Sequence, residues 1–211
     1  SLVRGGFFAS VEETNRKLAI EDNLRAIEEA EAIGSPLLVL VCGADPDQSQ
    51  YVSREQIQDG IFEILPQAEK AGIKLAIEPL HPVYAADRSA ISTIKQANDM
   101  ALSINSEFLG VAVDVFHLWW DPTLENEIRR CGQRDKLFAY HVCDWNIRMK
   151  DMLNDRGLMG DGCIDLRQIR LWMEDAGFTG YHEVEVFSDK YWAMDQTEYL
   201  QKIKQAYFQH T

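Results

Sequence analysis

Residues 110–114 read Gly-Val-Ala-Val-Asp (GVAVD), a short apolar run that ends in a carboxylate. Three further runs have the same form and end in a side chain that binds metals or transfers protons: residues 74–78 (KLAIE), 137–141 (LFAYH) and 181–185 (YHEVE). Turn or loop residues follow each run, and then a helix-like stretch. Parallel strands bring their C-terminal ends to one edge of a sheet. The repetition therefore predicts that the four terminal residues meet in one pocket for a divalent cation: Glu78, Asp114, His141 and Glu185.

Strands and helices alternate along the chain. Apolar runs predict six strands, at residues 2–8, 36–42, 74–80, 109–116, 137–142 and 181–187. Helical spacing of apolar residues predicts a helix that begins at Asp121-Pro122 and five others, at residues 22–33, 53–71, 88–104, 165–176 and 197–208. The strands are nearly continuous apolar runs, which is typical of a parallel α/β sheet covered by helices.

Two parallel architectures fit this alternation, a doubly wound sheet and a closed barrel. A doubly wound nucleotide-binding sheet has a glycine-rich turn after its first strand, and residues 4–7 (RGGF) do not match that pattern. Chemistry at the ends of four strands favours the TIM-type barrel, which has eight strands and about 250 residues. With six strands in 211 residues, the sequence predicts a single barrel domain over residues 1–211 that lacks its first two β/α units.

Composition narrows the class of protein. The hydrophobic fraction of 46% and charged fraction of 26% are those of a globular protein. A net charge of −13 argues against nucleic-acid binding, and the longest apolar run, residues 37–42, is too short to span a membrane. No signal peptide is visible, and the four cysteines show no CxxC spacing, so we expect a reducing, cytoplasmic setting.

The chain resembles the xylose-isomerase-like barrel family of sugar phosphate isomerases and epimerases over residues 2–207. The matching stretches are RGGFF, LAIEPLHPVYAADR, VAVDVFHLWWDP, AYHVCDW, GLMGDGCIDL and VEVFSDKYWA. In that family one divalent metal is held by Glu, Asp, His and Glu from successive strand ends. The resemblance implies that Glu78, Asp114, His141 and Glu185 are these ligands. Three carboxylates with one imidazole suit Mn²⁺ or Mg²⁺, with Co²⁺ possible.

The expected reaction is proton transfer beside a carbonyl of a sugar or polyol. Removing a C–H proton leaves a negatively charged enediolate, which a divalent cation stabilises. By resemblance, Glu78 and Glu185 also serve as the catalytic pair that takes and returns the proton. Glu183 shares a strand face with Glu185, so the pattern alone does not separate the two. The family motif favours Glu185.

Three more residues are candidates for substrate binding. His117 follows Asp114 by three residues, where the family's D-x-x-H motif places a substrate contact, although a hydrogen bond to Asp114 is the alternative. His81 either lines the pocket or caps its loop. Arg148 lies in the loop after the His141 strand, where a related position binds a hydroxyl or a phosphate, although a solvated arginine is the more common outcome. Asp144 is expected to orient a ligand, and Gly160 and Gly162 to allow a tight turn in a lid-like loop.

Several alternatives to an isomerase or epimerase remain. Expulsion of a β-hydroxyl from the same enediolate would make the enzyme a dehydratase of the inosose type. An abasic-site endonuclease is disfavoured by the negative charge and by only five histidines. The alternative that is not an enzyme is an inactive, truncated barrel, because six strands leave two open sheet edges. Such edges also favour association, so a homo-oligomer is possible.

Overall fold

The computed structural model describes residues 7–211 and shows an α/β chain built on one parallel sheet. Its strands pair in the order in which they occur in the sequence. Within the described residues they are β1 (Leu37–Leu40), β2 (Lys74–Ile77), β3 (Leu109–Asp114), β4 (Leu137–Val142) and β5 (His182–Val184). A parallel sheet in sequence order, with a helical connection between successive strands, is the wall of a TIM-type barrel. The predicted fold class is therefore confirmed.

The helices occupy the connections and the chain end. They are α1 (Glu13–Ile33), α2 (Gln50–Ala71), α3 (Ile94–Ile104), α4 (Val115–Leu118), α5 (Leu124–Gly132), α6 (Leu166–Asp175), α7 (Asp189–Trp192) and α8 (Gln196–His210). Both long N-terminal helices stop at a glycine, Gly34 or Gly72, whose left-handed φ of 72° turns the chain out of the helix. Among residues 7–211, no helix has the length and apolar character needed to cross a bilayer.

The two faces of the sheet carry different side chains. One face packs against α2, α3 and α5 and presents large, fully buried residues: Leu75, Ile77, Val111, Val113, Tyr140 and Val142. The other face presents Ala76, Ala112 and Ala139. Strand side chains alternate between faces, so the next residues on the alanine face are Glu78, Asp114 and His141. The charged residues therefore lie on the side of the sheet away from the helices.

The structure corrects several predicted boundaries. Helix α1 begins at Glu13 rather than at residue 22. Residues 13–21 are also helical, but their apolar periodicity is too weak to predict a helix. Helix α3 begins at Ile94 rather than at residue 88, because Thr93 and Gln96 form a capping box that fixes its first turn. Strand β3 ends at Asp114, whose carboxylate accepts the Phe116 N–H (2.8 Å) and starts α4.

The two outer predicted strands also differ from the prediction. Strand β5 covers only His182–Val184, because the chain turns away after Glu185 towards α7. The predicted strand at residues 2–8 lies mostly outside the described residues. Of its members, Phe7 and Phe8 are not in a strand, although the Phe8 N–H donates to the Cys42 carbonyl (3.0 Å) beyond the end of β1. The described sheet thus has five strands where the sequence predicted six.

Candidate metal centre and active site

The four predicted ligands meet at the C-terminal edge of the sheet. Asp114 and His141 are register partners on β3 and β4. Glu78 and Glu185 each follow a strand, and their N–H groups extend the ladder by bonding the carbonyls of Leu40 and Val142 (both 3.1 Å). One ligand atom from each of the four side chains lies within 4.8 Å of the others. We call this set of four residues the cluster.

The cluster is largely buried, so its carboxylates require positive charge beside them. Asp114 is fully buried, Glu78 and His141 are each 5% exposed, and the Glu185 side chain is 35% exposed. Three carboxylates this close repel one another, and burial without a counter-charge is costly. Oxygen atoms together with one imidazole form a donor set that fits a divalent cation. The residues present therefore fit the metal that the sequence implies.

Glu78 and His141 form one side of the cluster. The His141 Nδ1 lies 2.9 Å from a Glu78 carboxylate oxygen. Burial lowers the pKa of His141, but the hydrogen bond and charge of Glu78 outweigh burial and raise that pKa to about 9. Without a metal ion, a protonated His141 thus balances the Glu78 carboxylate. Glu183, the alternative to Glu185, is not one of the four: its carboxylate is 3.9 Å from His141 Nε2, but its side chain is 54% exposed.

Asp114 and Glu185 form the other side, together with a residue that the sequence reasoning missed. Arg156 Nη1 donates to both carboxylates, at 3.0 Å to Asp114 and 2.8 Å to Glu185. The guanidinium is buried between the rings of Phe116 (4.3 Å) and Phe187 (5.0 Å). Burial raises the pKa of both carboxyl groups, and the Arg156 charge offsets only part of that rise.

Arg156 reaches the cluster from a loop with no periodic signal in the sequence. Its N–H bonds the Phe187 carbonyl (2.9 Å), and its neighbours Asp155 and Gly157 bridge to Ser188 and Asp144. The residue is thus inserted between the extensions of β4 and β5. Its Nε is buried and has no hydrogen-bond partner among the described residues. The signal that could have found it is its position directly before the glycine-rich turn.

Asp144 was predicted to orient a metal ligand, but its carboxylate instead binds the backbone of the glycine-rich turn. Its carboxylate accepts four backbone N–H groups, from Trp145 (2.8 Å), Gly160 (3.0 Å), Gly162 (2.9 Å) and Ile164 (3.0 Å). A Cβ at Gly162 would lie 2.1 Å from the Trp145 carbonyl oxygen, and Gly160 has a φ of 94°. The two glycines are therefore needed for this close turn, as the sequence predicted.

His117 lies beside the cluster and is neutral. Its Nδ1 accepts the backbone N–H of His81 (3.1 Å), so the neutral ring carries its proton on Nε2. Burial lowers its pKa to about 3. Nε2 is 3.7 Å from the Asp114 carboxylate, too long for a hydrogen bond, and 3.3 Å from Arg156 Nη2. Two hydrogen-bond donors, His117 Nε2–H and Arg156 Nη2–H, thus lie side by side.

The other two predicted substrate-binding residues lie outside the cavity over the cluster. His81 is half-buried, caps its loop by accepting the Val83 N–H (3.2 Å) and packs on Trp145, with 4.8 Å between ring centres. Arg148 is exposed in the loop after β4. The cavity itself has a volume of about 500 Å³, and Tyr84, Arg88, Phe187 and Trp192 line it together with cluster residues.

Comparisons with known proteins agree with this architecture. The family described as xylose isomerase-like TIM barrel matches residues 2–206. An inosose isomerase of Bacillus licheniformis is 25% identical over 206 residues, which cover 94% of this chain and 71% of the relative.

Two solved structures show the same fold. Protein SMc04130 from Sinorhizobium meliloti 1021 is 45% identical, with a TM-score of 0.93 over 98% of this chain and 76% of the other. The IolI protein, solved with a bound zinc atom, is 23% identical, with a TM-score of 0.82 over 95% of this chain and 71% of the other. Both likenesses cover nearly the whole of this chain, so the described sheet belongs to a fold that is shared with these two structures.

Proposed function

Because the chain belongs to the xylose isomerase-like TIM barrel family, we propose that it is a divalent-metal-dependent isomerase or epimerase of a sugar or related polyhydroxy ketone. One observation carries the proposal: four ligand atoms from four strand ends lie within 4.8 Å of one another. The inosose isomerase relative supports a substrate with a carbonyl beside several hydroxyl groups. Mn²⁺ or Mg²⁺ are the preferred ions for this oxygen-rich set, with Co²⁺ as a further possibility.

The two glutamates of the cluster are proposed to move the proton. Glu185 is partly exposed to the cavity, and burial raises its pKa towards the range in which a carboxylate is an effective base. Glu78 lies on the other side of the cluster and shares a hydrogen bond with His141. Asp114 and His141 are proposed as ligands only. A bound divalent cation would polarise the substrate carbonyl and stabilise developing negative charge.

Arg156 and His117 are proposed to support the enediolate. Arg156 Nη2 and His117 Nε2–H are donors only 3.3 Å apart, and both residues line the cavity. Two donors in contact repel unless they share an acceptor. A substrate oxygen that becomes negatively charged provides such an acceptor, and its charge strengthens both hydrogen bonds during the reaction.

The experiment follows the C–H proton directly. Protein loaded with Mn²⁺ is incubated in D₂O with ketoses, ketose phosphates and inososes, and NMR detects C–H exchange and product. We expect exchange with at least one compound, and a loss of about 100-fold or more in Glu185→Gln with an unchanged circular dichroism spectrum. Elimination of water in the product would instead identify the dehydratase.

Glu183→Gln provides the matched comparison. This variant makes the same chemical change on the same strand face, two residues earlier. The proposal requires a smaller loss at 183 than at 185. Full exchange in Glu185→Gln would refute the proton-transfer assignment, and a larger loss in Glu183→Gln would transfer it to Glu183.

A further inference from the structure

A second arginine lines the cavity over the cluster. Arg88 follows the short turn at Pro82–Tyr84 and is half-buried, and its guanidinium carbon lies 5.5 Å from the centre of the Tyr84 ring. The Tyr84 hydroxyl donates to the Met152 carbonyl (2.6 Å), which fixes the ring against the facing loop. Arg88 therefore rests on a rigid aromatic surface at the edge of the cavity.

Arg88 has no carboxylate partner within the part of the chain that the structure describes. Its guanidinium makes no ion pair within 4.0 Å and no hydrogen bond to any residue in the range 7–211. By contrast, Arg156 in the same cavity binds two carboxylates. On the facing loop, Asp151 uses its carboxylate to accept the N–H groups of Leu153 (2.8 Å) and Asn154 (2.7 Å). The chain has 34 acidic and 21 basic residues, so carboxylates outnumber cationic side chains. An arginine that lines a cavity without a carboxylate partner among the described residues is therefore unusual.

Tyr84 connects this cation to the reaction centre. Its ring centre lies 5.8 Å from that of His117, which in turn touches the cluster side of the cavity. Two rings, those of Tyr84 and His117, therefore lie between Arg88 and the Asp114 carboxylate of the cluster. A substrate whose reacting carbons lie at the cluster would present its other end to Arg88. The cavity volume of about 500 Å³ is ample for a six-carbon chain with a terminal group.

We propose that Arg88 binds an anionic group, a carboxylate or a phosphate, at the end of the substrate opposite the reacting carbons. This inference rests on the proposed function and narrows the substrate class to acidic sugars. A guanidinium matches both groups because its planar N–H pairs bind two oxygens at once. The anion takes the place of the partner carboxylate that Arg88 lacks among residues 7–211.

Binding rather than turnover provides the test, so its failure is distinct from a failure of C–H exchange. Calorimetry on Mn²⁺-loaded protein compares D-fructose, D-fructose 6-phosphate and D-fructuronate. We expect at least one of the two anions to bind about tenfold or more tightly than the neutral ketose, in line with one charge-assisted contact. The two anions distinguish a phosphate from a carboxylate. Arg88→Gln should remove the preference, and Arg88→Lys should keep only part of it, because an ammonium group retains the charge but not the paired N–H groups.

Arg54→Gln is the matched control. Arg54 donates to the Ala90 carbonyl (3.2 Å) nearby and does not line the cavity, so its loss should leave the preference intact. Equal binding of all three sugars to the unmodified protein would overturn the proposal. An anion preference that survives in Arg88→Gln but disappears in Arg148→Gln would also overturn it, because the anion would then bind at the exposed loop.

Discussion

The two sides of the cluster balance the same charge in different ways. On the Glu78–His141 side, the counter-charge is an imidazolium that can lose its proton. On the Asp114–Glu185 side, it is the guanidinium of Arg156, which keeps its charge. A metal ion bound as proposed would displace a proton from the first side, whereas the second side would keep its cation beside the proposed substrate. Under the proposed function, the protonation of His141 would govern metal binding, and Arg156 would act on the substrate.

Removing the permanent cation should have the largest effect. Arg156→Met leaves the fully buried Asp114 carboxylate and the partly exposed Glu185 carboxylate without this partner. Because of the buried Asp114 charge, we expect metal-free protein to lose about 3–5 kcal/mol in the free energy of unfolding by urea. Added Mn²⁺ should recover part of that loss. Arg130→Met is the control, since Arg130 pairs with Asp99 and Glu127 on the surface and should cost about 1 kcal/mol or less. Similar losses of unfolding free energy in Arg156→Met and Arg130→Met would show that the Arg156 charge does not stabilise the cluster.

Loosening the turn that carries Arg156 should have a smaller effect. Asp144→Asn places an amide NH₂ opposite backbone N–H donors, and we expect a loss of about 2–3 kcal/mol in urea unfolding. The control is Asp165→Asn at the start of α6, where the Asp165 carboxylate accepts the Gln168 N–H. Because Asn also caps helices, only the interaction of the charge with the helix dipole is lost, which should cost about 0.5 kcal/mol. The His141 titration, followed by NMR, should stay unchanged in Asp144→Asn. A shifted His141 pKa would show that the two sides are not separate.

The smallest effect is a pH dependence specific to the Glu78–His141 side. The folded-state pKa of His141, about 9, exceeds the ordinary value of 6.5. Its stabilising contribution is therefore complete below pH 6.5 and is lost as pH rises through about 9. Between pH 7 and 8 we expect metal-free protein to lose about 1 kcal/mol of unfolding free energy through this group. His141→Gln should abolish the dependence, and an unchanged dependence in that variant would assign it to another residue.

The strand-end residues could be predicted from the sequence because one physical rule places them. A parallel sheet brings its C-terminal ends together, and side-chain alternation puts Glu78, Asp114 and His141 on the alanine face. The resemblance supplied the choice of Glu185. Helix ends marked by glycine, such as Gly72, were also predictable.

Arg156 and Arg88 could not be predicted in this way, because irregular loops bring them to the cavity. The position of Arg156 depends on bridges from Asp155 and Gly157 to distant strand extensions, which no local pattern encodes. Arg148, the arginine that the resemblance offered as a candidate, is closer to β4 along the chain but exposed, which is the alternative that the sequence also left open. Helix starts such as that of α3 were misplaced because a capping box overrides apolar periodicity.

Metal titration tests the central claim most directly. Electron paramagnetic resonance of Mn²⁺ added to the purified protein should show one bound ion per chain. Replacing one ligand on each side, in Glu78→Gln and in Asp114→Asn, should weaken that binding about 100-fold or more, whereas Glu183→Gln should weaken it less. Unchanged Mn²⁺ affinity in both ligand variants would contradict the account, because the ion would then bind away from the four strand ends.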